Sequence, residues 1–566
     1  MLPYEEVVVM AVSTAAAVRG VSLYRPPAIT GLADLLDLPV RERPSATALV
    51  VTARRVRLSY RELDLLVEEL ASQLNRAAGL RRGDTVALVC ANTVEFVVGL
   101  LGAARAGLVV APVDPQWAQG QLTERLGGLA ARAVLAAPGS GVAGAWTVTV
   151  DPSRIAVTLS TGNIREGSVR AVTEPADALV LFTVGTSDRA KMVPLTHANV
   201  TAAVRGICGT YELGPGDATV AVMPFFHSHG LFATLLASLA SGGCVLLPDR
   251  GRFSAAAFWD EVRAVAATWF TAVPAVHELL LERSELDYPG PQAAPLKFVR
   301  SSSAPLNTAT QRALERTFGA PLLTAYAMTE STHQVTSEPL PRHGLLKHAS
   351  AGRPTGVELR IVNAQGRLCP VGAEGEVWVR GSAVARGYLN DPAATTRGFD
   401  QGWLRTGDLG RLDEDGYLFL SGRIKNLIHR GGRRISPEYV EDLLAGCPGV
   451  LEAAVFALPD AELGQRVGAA VVAREGEYLG SEQVLHYCRN RLAIPGVPDR
   501  VEIVDALPHT AQGGLDRQAL RSRFTWPLQA LWPLRPSSPP APARRTHPEP
   551  TPSPPTQTPA PPPTPE

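Results

Sequence analysis

The sequence has no excess of charge of either sign. Its 566 residues include 54 basic and 54 acidic side chains, so the formal net charge is zero. A neutral chain without a long basic run produces no field that would attract nucleic acid or an anionic membrane surface. The composition therefore argues against nucleic-acid and membrane partners and favours small molecules.

Cysteine is scarce, and the chain contains no long apolar run. The six cysteines lie far apart without metal-ligand spacing. This spacing is typical of reduced thiols and argues against a disulfide framework, so we expect a cytoplasmic protein. No uninterrupted apolar segment is long enough to span a bilayer. Residues 7–18 are apolar but follow two glutamates, unlike a signal peptide.

Both ends of the chain differ in composition from its centre. We interpret residues 1–28 as an N-terminal extension. Residues 526–566 are rich in proline, serine and threonine, a composition that cannot bury a core and predicts a disordered tail. A solvated extension is one interpretation of this tail, and docking to an SH3-like protein partner through polyproline II is the other.

The centre of the chain predicts an α/β protein with two domains. Apolar β-rich runs at residues 85–89 and 178–182 alternate with helical patterns such as residues 60–76. Such alternation favours a large, multi-layer N-terminal domain with largely parallel sheets, which we place at residues 29–424. A small α+β C-terminal domain is expected to follow at residues 425–525.

The small domain has its own predicted elements. A helix should begin near Ser436 and Pro437, because proline favours the first helical turn. Strands are expected at residues 453–457 and 467–473. A further helix is expected at residues 481–492.

A candidate phosphate loop follows the strand at residues 178–182. Residues 182–193 read FTVGTSDRAKMV, and a loop after a buried strand can expose the backbone N–H groups that hold phosphate. Five further segments carry polar side chains in distinctive patterns. They read MPFFHSHGL (223–231), YAMTE (326–330), WLRTGD (403–408), GRIKNLIHRGGRRISP (422–437) and LPHTAQGGLDR (507–517).

Together these six segments resemble the motifs of the adenylate-forming superfamily, which comprises acyl-CoA synthetases, luciferases and peptide-synthetase adenylation domains. The resemblance spans roughly residues 35–524. It implies an AMP-forming acid–thiol ligase that uses ATP, Mg²⁺ and CoA. In this family the small domain swings about a hinge between a conformation that forms the acyl-adenylate and one that forms the thioester.

The resemblance also implies roles for individual residues. Nucleotide binding is assigned to Thr183, Gly185, Ser187, Tyr326, Thr329, Asp408 and Arg423. Catalysis is assigned to Thr186, Lys191, Glu330 and Lys425. Of these, Glu330 and Thr186 would hold Mg²⁺, a hard cation that commonly bridges one carboxylate and substrate phosphates. Lys425 would lie at the hinge, and the pantetheine tunnel would pass Gly431 and Gly432.

The acyl pocket is assigned to His227, His229, Arg300, Ser302 and His333. Residues 251–254, 267–274, 298–304 and 325–333 are similar to the oxalate–CoA ligase branch of the family. A small dicarboxylate leaves one carboxylate unreacted and buried, so its pocket needs hydrogen-bond donors or cations. The resemblance therefore implies a small carboxylic acid such as oxalate.

The sequence departs from the family pattern at four catalytic positions. Residues 507–517 correspond to the closing motif of the family, in which a lysine supplies the cation for adenylation. Gly514 stands in place of that lysine. His509 and Arg521 are nearby alternative cations. In the phosphate loop, Val184 removes a hydroxyl, and Asp188 adds a carboxylate beside the phosphates. Asp188 and Met192 also replace glycines, which should restrict the loop geometry.

Three functional hypotheses remain open. The first is an acid–CoA ligase with impaired adenylation. The second is a catalytically silent homologue that binds nucleotide or acyl-adenylate and has a regulatory or scaffolding role. The third is a protein that transfers a ready-made adenylate to a carrier-protein thiol. Carboxylate-dependent exchange of pyrophosphate into ATP distinguishes the first from the other two, because only the first forms the adenylate.

We predict that Gly514→Lys raises carboxylate-dependent pyrophosphate exchange at least about tenfold. This is less than the roughly 10²- to 10³-fold effect typical of one preorganised donor, because the phosphate loop is also altered. Conversion of a supplied acyl-adenylate to its CoA ester should stay nearly unchanged, since that step uses the other conformation. Fast exchange in the parent protein would show that another cation has replaced the lysine.

Overall fold

The computed structural model describes most of the chain. The described residues are 26–51, 56–77, 79–117, 119–160, 162–165, 176–183, 190–344, 346–460, 462–474, 476–492, 494–509 and 515–525. The predicted N-terminal extension (apart from residues 26–28), the predicted tail, residues 184–189 of the phosphate loop and Gly514 lie outside these ranges.

The strands of the described part fall into five sheets. In chain order they are β1 (Thr47–Val51), β2 (Val56–Ser59), β3 (Thr85–Val89), β4 (Val109–Val113), β5 (Ala133–Ala136), β6 (Trp146–Asp151), β7 (Ala156–Leu159), β8 (Asp177–Phe182), β9 (Met192–Thr196), β10 (Ala218–Val220), β11 (Cys244–Leu247), β12 (Trp269–Ala272), β13 (Phe298–Ser302), β14 (Leu322–Tyr326), β15 (Thr336–Ser337), β16 (Arg353–Pro354), β17 (Glu358–Val362), β18 (Gly375–Arg380), β19 (Phe399–Asp400), β20 (Trp403–Leu412), β21 (Leu418–Arg423), β22 (Ile428–Arg430), β23 (Arg433–Ile435), β24 (Val450–Asp460), β25 (Gly464–Ala473) and β26 (Arg500–Val504).

The α-helices are distributed between these strands. They are α1 (Asp37–Glu42), α2 (Tyr60–Arg76), α3 (Val94–Arg105), α4 (Gln119–Leu129), α5 (His197–Tyr211), α6 (Ala237–Ala240), α7 (Ala255–Ala264), α8 (Pro274–Glu282), α9 (Ser284–Asp287), α10 (Thr308–Phe318), α11 (Pro392–Gly398), α12 (Pro437–Ala445), α13 (Ser481–Arg489) and α14 (Arg517–Thr525). A π-helix, His229–Leu236, leads directly into α6.

The large domain is built on mainly parallel sheets, which confirms the predicted α/β class. A seven-stranded sheet has the order β7-β6-β5-β3-β4-β8-β9, and its central pairs are parallel. A four-stranded sheet has the order β10-β11-β1-β2, and a five-stranded sheet the order β12-β13-β14-β15-β16. Side chains of the seven-stranded sheet, α2, α3, α5 and the π-helix form the main apolar core.

Local chemistry explains why the predicted helix at residues 60–76 forms. The Ser59 side chain accepts from the backbone N–H of Glu62, while the Glu62 carboxylate accepts from the backbone N–H of Ser59. This capping box satisfies N–H groups that a helix N-terminus otherwise leaves unpaired. Leucines on one face of α2 are buried, as the apolar spacing predicts.

Two further sheets of five strands each, both mainly antiparallel, complete the fold. One has the order β17-β18-β20-β19, with β21 paired to β20. The other follows residue 424 and has the order β23-β22-β25-β24, with β26 parallel to β25. Helices α12 and α13 cover this last sheet around a separate apolar core. The small α+β domain is therefore confirmed.

Some predicted bounds within the small domain were wrong. β24 and β25 are longer than expected because they pair as one continuous hairpin from Val450 to Ala473. The last predicted helix ends at Arg489 instead of residue 492. At this end the N–H of Asn490 donates to the carbonyls of His486 and Cys488. Among the described residues, no helix has both the length and the apolar character needed to cross a membrane.

Candidate active site

One large cleft collects most of the sequence-predicted site residues that the structure describes. Its volume is about 2270 Å³, and its lining comes from the large domain and from the chain after residue 424. A shallower pocket of about 600 Å³ beside Arg380 and Phe399 contains none of the predicted residues. The cleft is therefore the candidate active site.

At one end of the cleft, Asp408 is held by two neighbours. Tyr326 ends β14 and donates its hydroxyl to Asp408 Oδ2 at 2.5 Å. Arg423, the residue opposite Asp408 on β21, lies 2.7 Å from Oδ1. Burial raises the pKa of the Asp408 carboxyl, and the Arg423 guanidinium counteracts part of that effect. A carboxylate still has free lone pairs after these contacts and can accept from ligand hydroxyls.

The described ends of the phosphate loop meet at Thr183 and Lys191. The backbone N–H of Thr183 donates to the Lys191 carbonyl, and the Lys191 N–H donates to Thr183 Oγ1. Both residues line the cleft. Gly185, Thr186 and Ser187 lie outside the described residues.

The expectation that Met192 restricts the loop was wrong. Met192 pairs with Phe182 in the regular β8–β9 ladder, and its backbone is not left-handed. A glycine is therefore not required there by conformation. Val184 and Asp188, the other two substitutions in the loop, lie outside the described residues.

Glu330 lies in the short 3₁₀ turn Thr329–Ser331, where it lines the cleft and is buried. Its Oε1 accepts from the Tyr388 hydroxyl at 2.8 Å. Thr329 also lines the cleft. Sequence reasoning missed Tyr388, which belongs to the ARGYLND segment after β18 and lies 58 positions from Glu330.

Glu330 fits a Mg²⁺ ion that is shared with a nucleotide. Within the described ranges, no group of three or more His, Cys, Asp or Glu side chains could hold a metal by itself. A Mg²⁺ ion here would therefore depend on substrate phosphates, and one carboxylate plus phosphates is a common arrangement for this ion.

Lys425 lies in the 3₁₀ turn Ile424–Asn426, and its side chain lines the cleft. Burial lowers its pKa, and the nearby Arg423 lowers it further. The place of Lys425 between β21 and β22 is compatible with the hinge assignment, which stays a prediction.

A fully buried arginine lies behind the end of the cleft that is assigned to the acyl group, here called the acyl end. Arg300 on β13 has no exposed surface, and its Nε donates to the Tyr211 hydroxyl at 2.8 Å. Nη1 lies 3.1 Å from Thr271 Oγ1, 3.2 Å from His229 Nε2 and 3.5 Å from His333 Nε2. The two imidazoles stack with their centroids 4.6 Å apart.

The histidines separate Arg300 from the cleft. His227 and His333 line the cleft, whereas His229 and Arg300 form the layer behind it. Burial lowers the pKa of His229 and of His333 well below its ordinary value, and the Arg300 charge lowers both further. Both imidazoles are therefore neutral near pH 7.

Serines on either side of the predicted Ser302 face the cleft instead of Ser302. The Ser302 hydroxyl donates to the Ala325 carbonyl at 2.9 Å, whereas Ser301 and Ser303 line the cleft. Ser303 Oγ lies 3.1 Å from His229 Nδ1. Ser228, also in the cleft wall, lies 3.5 Å from His333 Nδ1. The HSHG pattern contains Ser228, but nothing in the sequence distinguished Ser303 from Ser302.

Three of the eleven non-glycine residues with positive φ in the described structure lie at this end. Ser303, Thr332 and His333 have φ values of +76°, +53° and +59°, although none is glycine. His229 also begins the π-helix, a rare conformation that is frequent at functional sites. Left-handed non-glycine residues persist only where the surroundings impose them, and they cluster at ligand sites.

Gly431 and Gly432 form the tight turn between β22 and β23. Their φ values are +54° and +78°. A two-residue hairpin turn of this type requires positive φ at both positions, which glycine adopts without strain. This geometry explains both glycines locally, and their role beside a pantetheine tunnel stays a prediction.

The closing motif reaches the cleft through Leu515, Asp516 and Arg517. Arg517 makes two hydrogen bonds with the Glu441 carboxylate, at 2.7 and 2.9 Å. His509 Nε2 lies 2.6 Å from Glu452. The position of the Arg521 side chain is outside the described structure. Arg517 and His509 are thus already engaged by carboxylates.

Comparison with known families gives two consecutive matches. A model described as AMP-binding enzyme matches residues 36–389, and one described as AMP-binding enzyme C-terminal domain matches residues 439–513.

Individual relatives match nearly their whole length. The oxalate–CoA ligase of Arabidopsis thaliana is 39% identical over 507 residues, which cover 87% of this chain and 98% of that protein. The oxalate–CoA ligase of Saccharomyces cerevisiae is 33% identical, covering 84% and 94%. ATP-bound MatB from Rhodopseudomonas palustris superposes with a TM-score of 0.76 at 28% identity, covering 87% and 99%.

We predict that Asp408→Ala markedly weakens AMP binding, because it removes the carboxylate held between Tyr326 and Arg423. Calorimetry on the parent and the variant measures the effect. Asp415→Ala is the matched control, since Asp415 is an exposed carboxylate on the turn between β20 and β21. Equal AMP affinity in the parent and Asp408→Ala would exclude a ribose contact at Asp408.

Proposed function

The chain belongs to the AMP-binding enzyme family, and from that premise we propose that it is an acid–CoA ligase for a small carboxylic acid with a second anionic group, such as oxalate. The observation that carries the choice of acid is the buried Arg300 behind the acyl end of the cleft. The two oxalate–CoA ligases among its relatives support the same choice.

Arg300 carries a charge that the described protein does not neutralise. No carboxylate of the described residues forms an ion pair with it, and its Nη2 has no hydrogen-bond partner there. Burying an unpaired cation is costly, and such groups are normally paired. An anionic ligand at the acyl end would supply the missing countercharge.

The contacts with Arg300 also determine which ring nitrogen of His229 and His333 carries the proton. Arginine can only donate, so the Nε2 atoms of His229 and His333 act as acceptors. Each neutral imidazole then carries its proton on Nδ1. His229 donates that proton toward Ser303, and His333 donates toward Ser228. The serine hydroxyls that line the cleft are thereby left to donate to a bound carboxylate.

An apolar acyl chain would gain nothing from this arrangement. It would leave Arg300 unpaired and would also cover Ser301, whose hydroxyl is buried without a partner in the described structure. A short acid with a second carboxylate instead receives hydroxyl donors backed by a fixed positive charge.

The remaining predicted residues fit a nucleotide in the rest of the cleft. We assign the ribose to Asp408 and Arg423 and the adenine to the face of Tyr326. The phosphates are assigned to Thr183 and Lys191. Glu330 is the residue that would hold Mg²⁺, which supplies charge neutralisation for the phosphates when bound.

In the proposed reaction an oxygen of the acid carboxylate attacks the α-phosphorus of ATP and pyrophosphate leaves. The CoA thiolate then attacks the carbonyl carbon of the adenylate and AMP leaves. Negative charges meet in the first step, where a preorganised cation is most valuable. With glycine at position 514, we propose that adenylation is impaired relative to the second step.

A second candidate function is a silent homologue that binds nucleotide or acyl-adenylate. The pairing of Arg517 and His509 with carboxylates favours it, because neither is free to replace the missing lysine. Transfer of a supplied adenylate to a carrier-protein thiol needs only the second step and is consistent with the same observation.

We predict that oxalate, in the presence of AMP, raises the melting temperature of the parent protein, whereas long-chain acids do not. Arg300→Met should abolish the oxalate-induced shift measured against its own ligand-free melting temperature. Arg312→Met is the control, because Arg312 is exposed on α10. Stabilisation by long-chain acids alone, or an oxalate shift retained in Arg300→Met, would overturn the choice of acid.

We also predict that oxalate affinity is constant from about pH 8 to about pH 6, a window in which an ordinary histidine becomes charged. Burial keeps the pKa values of His229 and His333 below this window, and the cation is Arg300. Calorimetric titration with AMP present measures this. Protonated histidines as the anion-binding groups would instead make the affinity rise as the pH falls.

A further inference from the structure

A short segment after β18 connects the two loops that are assigned to the phosphates. This strap comprises residues 382–389. The N–H of Ala385 donates to the Glu330 carbonyl, and the N–H of Leu389 donates to the Met192 carbonyl, both at 2.8 Å. Backbone carbonyls in the strap accept from Asn199 and Thr332 side chains. The strap therefore holds the Glu330 turn and β9 at a fixed separation.

The side chain of Tyr388 makes the same connection inside the cleft. Its hydroxyl donates to Glu330 Oε1 at 2.8 Å, and the ammonium of Lys191 lies 4.3 Å from its ring centroid. Tyr388 itself lines the cleft. One side chain thus contacts the carboxylate assigned to Mg²⁺ and the cation assigned to the phosphates.

The two contacts use different parts of the tyrosine. The hydroxyl orients the Glu330 carboxylate, and burial raises the Tyr388 pKa so that this hydroxyl stays protonated. The electron-rich ring face attracts the Lys191 ammonium without neutralising it. A carboxylate in place of the ring would hold Lys191 more tightly but would cancel the charge that a phosphate needs.

Packing alone does not account for the tyrosine hydroxyl. The ring has an edge-on aromatic neighbour, Phe399, at 5.6 Å, and the N–H of Tyr388 bonds to Thr395 Oγ1 at 2.9 Å. A phenylalanine would keep both of these contacts. Among the contacts of Tyr388 with described residues, only the link to Glu330 requires the hydroxyl.

We propose that Tyr388 is a positioning residue that holds the Glu330 carboxylate and the Lys191 ammonium at the spacing of a Mg²⁺–nucleotide phosphate group. The inference rests on the proposed nucleotide site. Tyr388 acts through these two neighbours. The loss of a partner that orients a metal-binding carboxylate commonly lowers metal affinity by about 10- to 100-fold.

The test is calorimetric titration of the full chain with ATP, once with MgCl₂ and once with EDTA. In Tyr388→Phe the gain in ATP affinity produced by Mg²⁺ should fall at least about tenfold. Affinity in EDTA should match the parent, since the ring under Lys191 is kept. In Tyr388→Leu the affinity in EDTA should also fall severalfold.

Tyr417 provides a matched control. It is a buried tyrosine outside the cleft lining, and the Lys347 ammonium lies 4.5 Å from its ring centroid. Tyr417→Phe makes the same chemical change and should alter neither titration. Tyr388→Phe should also add no further loss of the Mg²⁺ effect in a Glu330→Gln background, because the hydroxyl acts only through that carboxylate.

The outcomes separate this inference from the function on which it rests. A parent protein that binds ATP more tightly with Mg²⁺, together with an equal Mg²⁺ effect in Tyr388→Phe, overturns the role of Tyr388 alone. An additive loss in the Glu330→Gln background also overturns it. A parent protein that binds no ATP overturns the proposed function and the inference together.

Discussion

Two buried carboxylates organise the cleft, and each is held by a tyrosine hydroxyl. Asp408 accepts from Tyr326, and Glu330 accepts from Tyr388. A neutral donor fixes the direction of a carboxylate without cancelling its charge, so the group can still bind a ribose hydroxyl or a metal ion. The remaining elements of the site follow from this constraint, because β14, the 3₁₀ turn after it, β20 and the strap must converge to bring these pairs together.

At the acyl end the buried charge is positive, and it too is held by neutral groups. Arg300 is positioned by Tyr211, Thr271 and two neutral imidazoles, all of which leave its positive charge intact. An unpaired buried charge lowers the stability of the empty protein, since its hydration is lost without a countercharge. That cost is recovered when an anion binds, which links folding stability to occupancy of the site. The left-handed backbone at Ser303 and His333 is a second local cost at the same end.

Local patterns were enough to predict the fold class and to place Asp408 beside Arg423. Helix α2 has its capping box and apolar face within one segment, and Asp408 and Arg423 belong to one hairpin. The acyl cluster could not be assembled in this way. Thr271 meets Arg300 through the parallel register of β12 and β13, and the histidines come from two further segments. Ser301 faces the cleft and Ser302 does not because side chains alternate along β13. Ser303 follows the strand with a left-handed backbone, a feature that depends on the fold around it.

The departures from the family pattern are not spread evenly over the site. Val184, Asp188 and Gly514 belong to the phosphate loop and the closing motif, both of which handle the triphosphate during adenylation. Asp408 and the donors around Arg300 lie outside these two segments, and in the proposed function they serve the adenylate as much as ATP. Arg300 is buried without a countercharge among the described residues, which is costly to the empty protein, and an anionic acid would offset that cost. Together with glycine in place of the closing lysine, this arrangement favours the proposal of a site that holds the acid and the adenosine moiety while forming the adenylate slowly.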